Sequence, residues 1–149
     1  MLTAAEWYTA EEPKMPAGYS GTPLATKLGV KTGQRNWRMN MPPCVAAEIA
    51  QSGLEPTLVG APHAGLEMGH IFVTQRSELA HHLVTLRKVL APGGVLWVSW
   101  PKKAAKIKTD ITEDVIRTEA LPLGFVDVKV CAVDAMWSGL KLVIRKSER

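Results

Sequence analysis

The stretch VLAPGGVLWVSW, Val89–Trp100, decides the fold class. Ahead of it, Leu79, Leu83, Leu86 and Leu90 fall at spacings of four, three and four, which lays one leucine stripe along a helix. Ala91-Pro92-Gly93-Gly94 stops that helix, and Val95–Trp100 is apolar at every position but Ser99. Such a run, arriving after a helix, reads as a strand buried on both faces, the mark of a parallel sheet covered by helices. Ile71-Phe72-Val73 is a second short apolar run on the near side of the leucine helix.

The flanks extend the pattern. Pro23–Leu28 is predicted as a short helix stopped by Gly29, with Ser20 or Thr22 at its start. Over Asn36–Met41, Trp37, Met39 and Met41 alternate with Arg38 and Asn40, the period of a strand. Pro42-Pro43 end it, Val45–Gln51 reads as a helix closed by Ser52-Gly53, and Thr57–Val59 as a brief strand. Downstream, a helix is expected over Ile111–Ala120, ended by Pro122 and Gly124. Val126, Val128 and Val130 then alternate with polar neighbours, Asp134–Gly139 turns the chain, and Leu140–Ile144 returns as a hairpin.

The order β-α-β-β-α-β-α-β-β implies an α/β fold. Its sheet should be open, mostly parallel and Rossmann-like, with helices on both faces and an antiparallel C-terminal hairpin. Residues 1–18, with Pro13, Pro16 and Gly18, read as an irregular lead-in, 19–146 as a single domain and 147–149 as a tail.

Composition narrows the function classes. At 149 residues, with 46% hydrophobic and 21% charged, the chain suits one soluble globular domain. The net charge of +4 is compatible with an anionic partner but too small and too spread out to argue for nucleic acid. Cys44 and Cys131 have no CxxC or Cys/His spacing, so a zinc site is not expected and ordinary reduced thiols are. The start, MLTAAEWYTAEEPK, lacks the basic and apolar regions of a signal peptide, and no apolar segment has the length of a membrane span. The expected setting is cytoplasmic.

Two resemblances follow from these residues. The apolar strand, leucine-striped helix, VLAPGGVLWVSW, helix and hairpin resemble the second half of a class I S-adenosylmethionine-dependent methyltransferase. YSGTPLATKLG (Tyr19–Gly29), WPKK (Trp100–Lys103), TDITEDVIR (Thr109–Arg117), LPLGFVDVKVCAVD (Leu121–Asp134) and WSGLKLV (Trp137–Val143) resemble a bacterial family of small proteins of unknown function. The second resemblance spans roughly residues 17–146 and implies no activity.

The methyltransferase resemblance implies a glycine-rich turn after the first strand and an acidic residue ending the second, which hold the methionine and ribose parts of the cofactor. Here the first turn is Asn40-Met41-Pro42-Pro43-Cys44, without glycine, and proline supplies no amide. The second strand ends in Gly60-Ala61-Pro62, and Gly60–Ile71 is too short for a further strand and helix. These absences argue against catalysis and disfavour S-adenosylmethionine as cofactor.

The sheet order would set Thr74–Arg76 beside Ser99–Lys103 at the ligand-binding edge. Arg76 at the start of the leucine helix, with Lys102 and Lys103, would form a positive rim for phosphate or carboxylate; solvated loop charges are the plainer reading. Trp100 borders that edge or packs in the core, and Tyr19, Ser20 and Thr22 offer hydroxyls to a ligand or cap the first helix. Asp110 as N-cap with Glu113 suggests a capping box, and Glu113 with Arg117 an i,i+4 ion pair, so these carboxylates read as structural. The histidines show no ligand spacing: His81 should face away from the leucine stripe and His82 flank it, and His63 and His70 lie in or beside a loop.

The functions left standing are three. The first is a non-catalytic methyltransferase-like domain binding a small anionic ligand or a protein partner at the C-terminal edge of its sheet. The second is an S-adenosylmethionine-dependent methyltransferase with an atypical cofactor loop. The third is a nucleic-acid-associated protein using Lys102–Lys108.

Overall fold

The structure, a computed structural model, describes residues 21–149. Strands β1 (Arg35–Met39), β2 (Thr57–Leu58), β3 (Leu66–Phe72), β4 (Leu90–Pro101), β5 (Phe125–Ala132) and β6 (Trp137–Ile144) form one sheet in the order β2-β1-β3-β4-β6-β5. The pairs β1–β2, β1–β3 and β3–β4 are parallel, whereas β4–β6 and β5–β6 are antiparallel. Helices α1 (Leu24–Leu28) and α2 (Pro43–Ala50) cover one face; α3 (Arg76–Val89) and α4 (Glu113–Ala120) cover the other. The expected Rossmann-like arrangement, with its antiparallel C-terminal hairpin, is what forms.

The leucine stripe explains α3. Leu79, Leu83 and Leu86 are fully buried against Leu66, Leu96, Val98 and Leu140, each contributing about 1.5–3 kcal/mol of burial. Glu78 in its first turn and Arg87 and Lys88 in its last complement the helix dipole. Leu90 lies beyond the helix and opens β4, pairing with Leu66 before the register shifts. Gly94 is required in that entry, because a Cβ there would stand 2.8 Å from Leu90 Cγ and 3.0 Å from the Ala91 carbonyl oxygen.

Strand β4 is buried on both faces, as its composition predicts. Leu96 and Val98 face α3 and α4, while Trp97 faces α1 and α2 among Leu24, Leu28, Val45, Ile49 and Phe72. Trp97 Nε1 donates to the Leu28 carbonyl at 2.8 Å, which ties α1 to the centre of the sheet. Trp100, of opposite parity to Trp97, packs half-buried against the α3/α4 core.

Several boundaries differ from the sequence expectation for physical reasons. Strand β1 ends at Met39 because Asn40 turns left-handed at φ 56°, so Met41 joins the α1/α2 side while Trp37 and Met39 stay on the other. Strand β3 begins at Leu66, five residues before Ile71, and includes His70, which is not in a loop. The N-cap of α1 is Pro23, and no side chain caps that helix. Helix α4 is capped by Thr112, whose hydroxyl accepts from the Val115 amide, so Asp110 does not cap it. Val128 occupies a bulge between Asp127 and Lys129, which interrupts the expected valine alternation. Strand β6 starts at Trp137 because Asp134 Oδ1 accepts the Met136 and Trp137 amides, both at 2.8 Å, and tightens the turn.

Candidate functional site

The strand order reverses between β1 and β3. From β1 the chain crosses through α2 to β2 on one side; from β3 it crosses through α3 to β4 on the other. In open α/β sheets a ligand crevice forms outside the carboxyl ends of the strands at such a reversal. Here its floor is the Met39–Cys44 turn, the Val59-Gly60 end of β2 and Thr74 after β3.

The turn makes its left-handed residue from Asn40, a type that tolerates this conformation better than other side chains do. Pro42 is the N-cap of α2 and Pro43 its first residue. Pro43 carries no amide hydrogen, and the Val45 and Ala46 amides both donate to the Pro42 carbonyl. The Cys44 thiol lies 4.0 Å from Asp134 Oδ2, which joins the start of α2 to the β5–β6 turn. Burial, then the Asp134 charge, push that thiol up, and the amides of Val45 and Cys44 only partly offset them. Cys44 is therefore a protonated thiol near neutral pH.

No carboxylate stands at the end of β2. The nearest downstream acid, Glu67, opens β3 at the opposite edge, where it accepts the Arg35 amide at 3.0 Å and pairs with the Arg35 guanidinium at 3.4 Å. The turn conformation thus fits a cofactor approaching the switch point, while the carboxylate that would accept from a ribose diol is missing among the described residues.

On the far side of the crevice, the segment after β4 folds back over the sheet edge. Lys102 N donates to the Met136 carbonyl, a short 3₁₀ turn spans Lys103–Ala105, and Thr109 Oγ donates to the Thr74 carbonyl at 2.6 Å. Asp110 Oδ1 then accepts the Arg76 amide at 2.7 Å, so the carboxylate caps α3 across the fold rather than its own helix. The Arg76 guanidinium pairs with Glu119 at 2.7 Å. Arg76 follows the carboxyl end of β3, and Trp100, Lys102 and Lys103 stand at or just after that of β4, but the α3 N-terminus and Arg76 already hold carboxylates of this chain. Asp110→Ala is expected to lower stability by about 0.5–2 kcal/mol in urea unfolding, the usual value of an N-cap. Thr22 lies just before α1, and Tyr19 and Ser20 lie outside the described residues.

The acidic residues of Thr109–Arg117 are structural. Arg117 pairs with Glu113, as the i,i+4 spacing predicts, and also with Asp114 and with Asp127 on β5. The Arg117 guanidinium holds the Asp127 carboxyl below its ordinary range.

Sequence reasoning missed a buried polar row crossing three strands. Asn36 on β1, His70 on β3 and Ser99 on β4 are almost wholly buried, with His70 Nε2 and Ser99 Oγ 2.7 Å apart. His70 stacks on Phe72 with ring centroids 4.5 Å apart. Burial, then the Arg38 charge, lower its pKa to about 3, so the ring is neutral. A histidine directly before an apolar run is the available signal, and the sequence masks it because the apolar run itself begins only at Ile71. No group of metal-ligating side chains occurs among the described residues, and none of their helices is long and apolar enough to cross a membrane.

No protein-family model matches the sequence, and no curated protein matches it. Solved structures do. The CcbJ methyltransferase from Streptomyces caelestis aligns with a TM-score of 0.54 at 8% identity, over 91% of this chain and 95% of that one. Magnesium protoporphyrin IX methyltransferase from Synechocystis PCC 6803, with bound S-adenosylmethionine, aligns at 0.52 and 11% identity, over 82% and 74%. The complex of LepI with S-adenosylmethionine aligns at 0.52 and 11% identity over 89% of this chain, which spans about half (49%) of LepI. The chain has a methyltransferase-like fold. At these identities the likeness concerns the fold alone, and in a fold of this kind β2 would be followed by a further strand and helix. The chain instead passes from β2 to β3 in seven residues, Val59 to Gly65.

Proposed function

We propose that this chain is an S-adenosylmethionine-dependent methyltransferase with an atypical cofactor loop, the cofactor lying at the β1/β3 switch point. The observation that carries this reading is Asn40, held at φ 56° in the turn that follows the first strand, so that the chain turns sharply at the carboxyl end of β1, where such a fold takes its ligand. The group would supply an activated methyl; the chain's own part is to hold it over the Met39–Cys44 turn and to close the crevice with the Lys102–Thr112 segment. The missing carboxylate at the end of β2, an acceptor, and the two prolines of the turn, which lack amide donors, imply weaker binding than a complete set of hydrogen-bonding groups would give.

Calorimetry with S-adenosylhomocysteine tests the reading. Binding at or below millimolar ligand is expected. Asn40→Gly should keep it, whereas Asn40→Val should weaken it and lower stability by about 1–2 kcal/mol or more, because a β-branched side chain resists a positive φ. No heat from the wild-type chain at millimolar ligand ends the proposal.

The same missing groups favour a second reading, a non-catalytic domain that takes a small anionic ligand at this edge. That reading expects silence with S-adenosylhomocysteine but a thermal shift with a phosphorylated metabolite, lost in Lys102→Ala and Lys103→Ala. A shift that survives both substitutions would remove it.

A further inference from the structure

A groove of about 650 Å³ opens at the other end of the sheet, outside the amino ends of β1 and β3. Its volume falls within the roughly 300–1,000 Å³ typical of small-molecule sites. One wall is the turn after α1, from Gly29 to Gln34; the other is the entry to β4, with Lys141 of β6 beside it.

Charge and glycine both single it out. Lys31 lines one side and Lys141 another, and Lys129 stands directly opposite Lys141 across the β5–β6 pair. Like charges in that position repel and cost stability. No carboxylate of the described residues pairs with any of the three; the ion pairs among them all belong to arginines. The groove's own acid, Glu67, is held by Arg35, and Asp127 on β5 is held by Arg117.

Gly93 is the second observation. Its φ is not in the left-handed range, and a Cβ built there would meet no atom within 4 Å. Neither backbone conformation nor packing therefore calls for glycine. Its neighbour Gly94 is the contrast, since a side chain there would strike Leu90. What glycine does at 93 is leave the groove wall bare.

We propose that this groove binds a small molecule bearing a di- or polyphosphate, with the phosphates between Lys31 and Lys141 and the remainder laid against Gly93. Two unpaired lysines, with a third behind them, suit a multiply charged group better than a single carboxylate. The proposal is independent of the cofactor reading, which concerns the opposite edge of the sheet.

The test is amide NMR of the ¹⁵N-labelled chain titrated with inorganic pyrophosphate and with ATP, against sulfate at matched ionic strength. Saturable shifts are expected at Gly29, Gly33, Gly93 and Gly94, with sulfate much weaker. Lys31→Gln with Lys141→Gln should weaken both phosphates at least tenfold. Gly93→Val should weaken ATP more than pyrophosphate. Shifts confined to Lys102–Lys108, affinity unchanged in the double lysine variant, or equal response to sulfate would each overturn the proposal.

Discussion

Trp97→Ala is expected to remove about 3–5 kcal/mol of stability, the range for a large aromatic deleted from a core. Trp97 is fully buried at the centre of β4, and its side chain is where α1, α2 and the sheet meet. The substitution also leaves the Leu28 carbonyl without the indole donor at the end of α1. A loss of that size is a large part of the roughly 5–15 kcal/mol available to a domain, so the variant should be partly unfolded at 37 °C. Trp97→Phe separates the two contributions: it keeps most of the packing and forfeits the hydrogen bond, with an expected loss of about 1–3 kcal/mol. Urea unfolding followed by circular dichroism reads both. A Trp97→Ala loss under about 1 kcal/mol, far below the range for such a deletion, would mean that the α1/α2 layer is not packed as described.

His70 should make stability fall on the acid side of neutrality. Its folded pKa, about 3, lies below the ordinary value of 6.5, so the unfolded chain binds the proton first as pH drops. The contribution is fully present above about pH 6.5 and is lost as pH falls from there toward 3. Within that window one proton is taken up on unfolding, a slope of about 1.4 kcal/mol per pH unit. Between pH 6.5 and 4.5 the histidine alone should therefore cost about 2–3 kcal/mol. His70→Phe combined with Ser99→Ala removes the titrating ring without leaving the hydroxyl stranded, and the acid-side slope should flatten by that amount. Parallel stability–pH curves for the wild type and the double variant would show that His70 is solvated and charged.

How much of this was legible in the sequence can be followed residue by residue. The α3 stripe and the β4 run carried the fold, because period-four leucines and an unbroken apolar strand each leave only one way to be buried. The hairpin was legible from its valines, but not the Val128 bulge, since a single extra residue leaves no mark on composition. Only the end of β3 stands out in the sequence, because Glu67, Gly69 and His70 interrupt its hydrophobicity. A Cβ at Gly69 would crowd Leu96 Cδ1 at 3.2 Å, and His70 is tolerated because Ser99 takes its ring nitrogen. Both reasons lie on β4, 27 to 29 residues away by subtraction, and no local pattern reports them.

The candidate site shows the same division. That Met41–Cys44 lacks glycine was plain from the letters; that Asn40 assumes the left-handed turn was not, because its φ depends on how β1 ends and α2 begins. Asp110 looked like the cap of the helix it precedes. It caps α3 instead, since Thr109 anchors the loop to Thr74 and swings the carboxylate onto the Arg76 amide. The groove between Lys31 and Lys141 was invisible, because its walls come from four separate parts of the chain.

The proposed function stands on S-adenosylmethionine binding in the crevice at the β1/β3 reversal. Amide NMR of the labelled chain titrated with S-adenosylhomocysteine addresses it most directly. The expected result is a saturable set of shifts at Met39–Met41, Cys44, Val59–Gly60 and Thr74, with the Gly29–Gly33 turn unmoved. Absence of shifts at millimolar ligand, or shifts confined to the groove at the opposite edge, would contradict it.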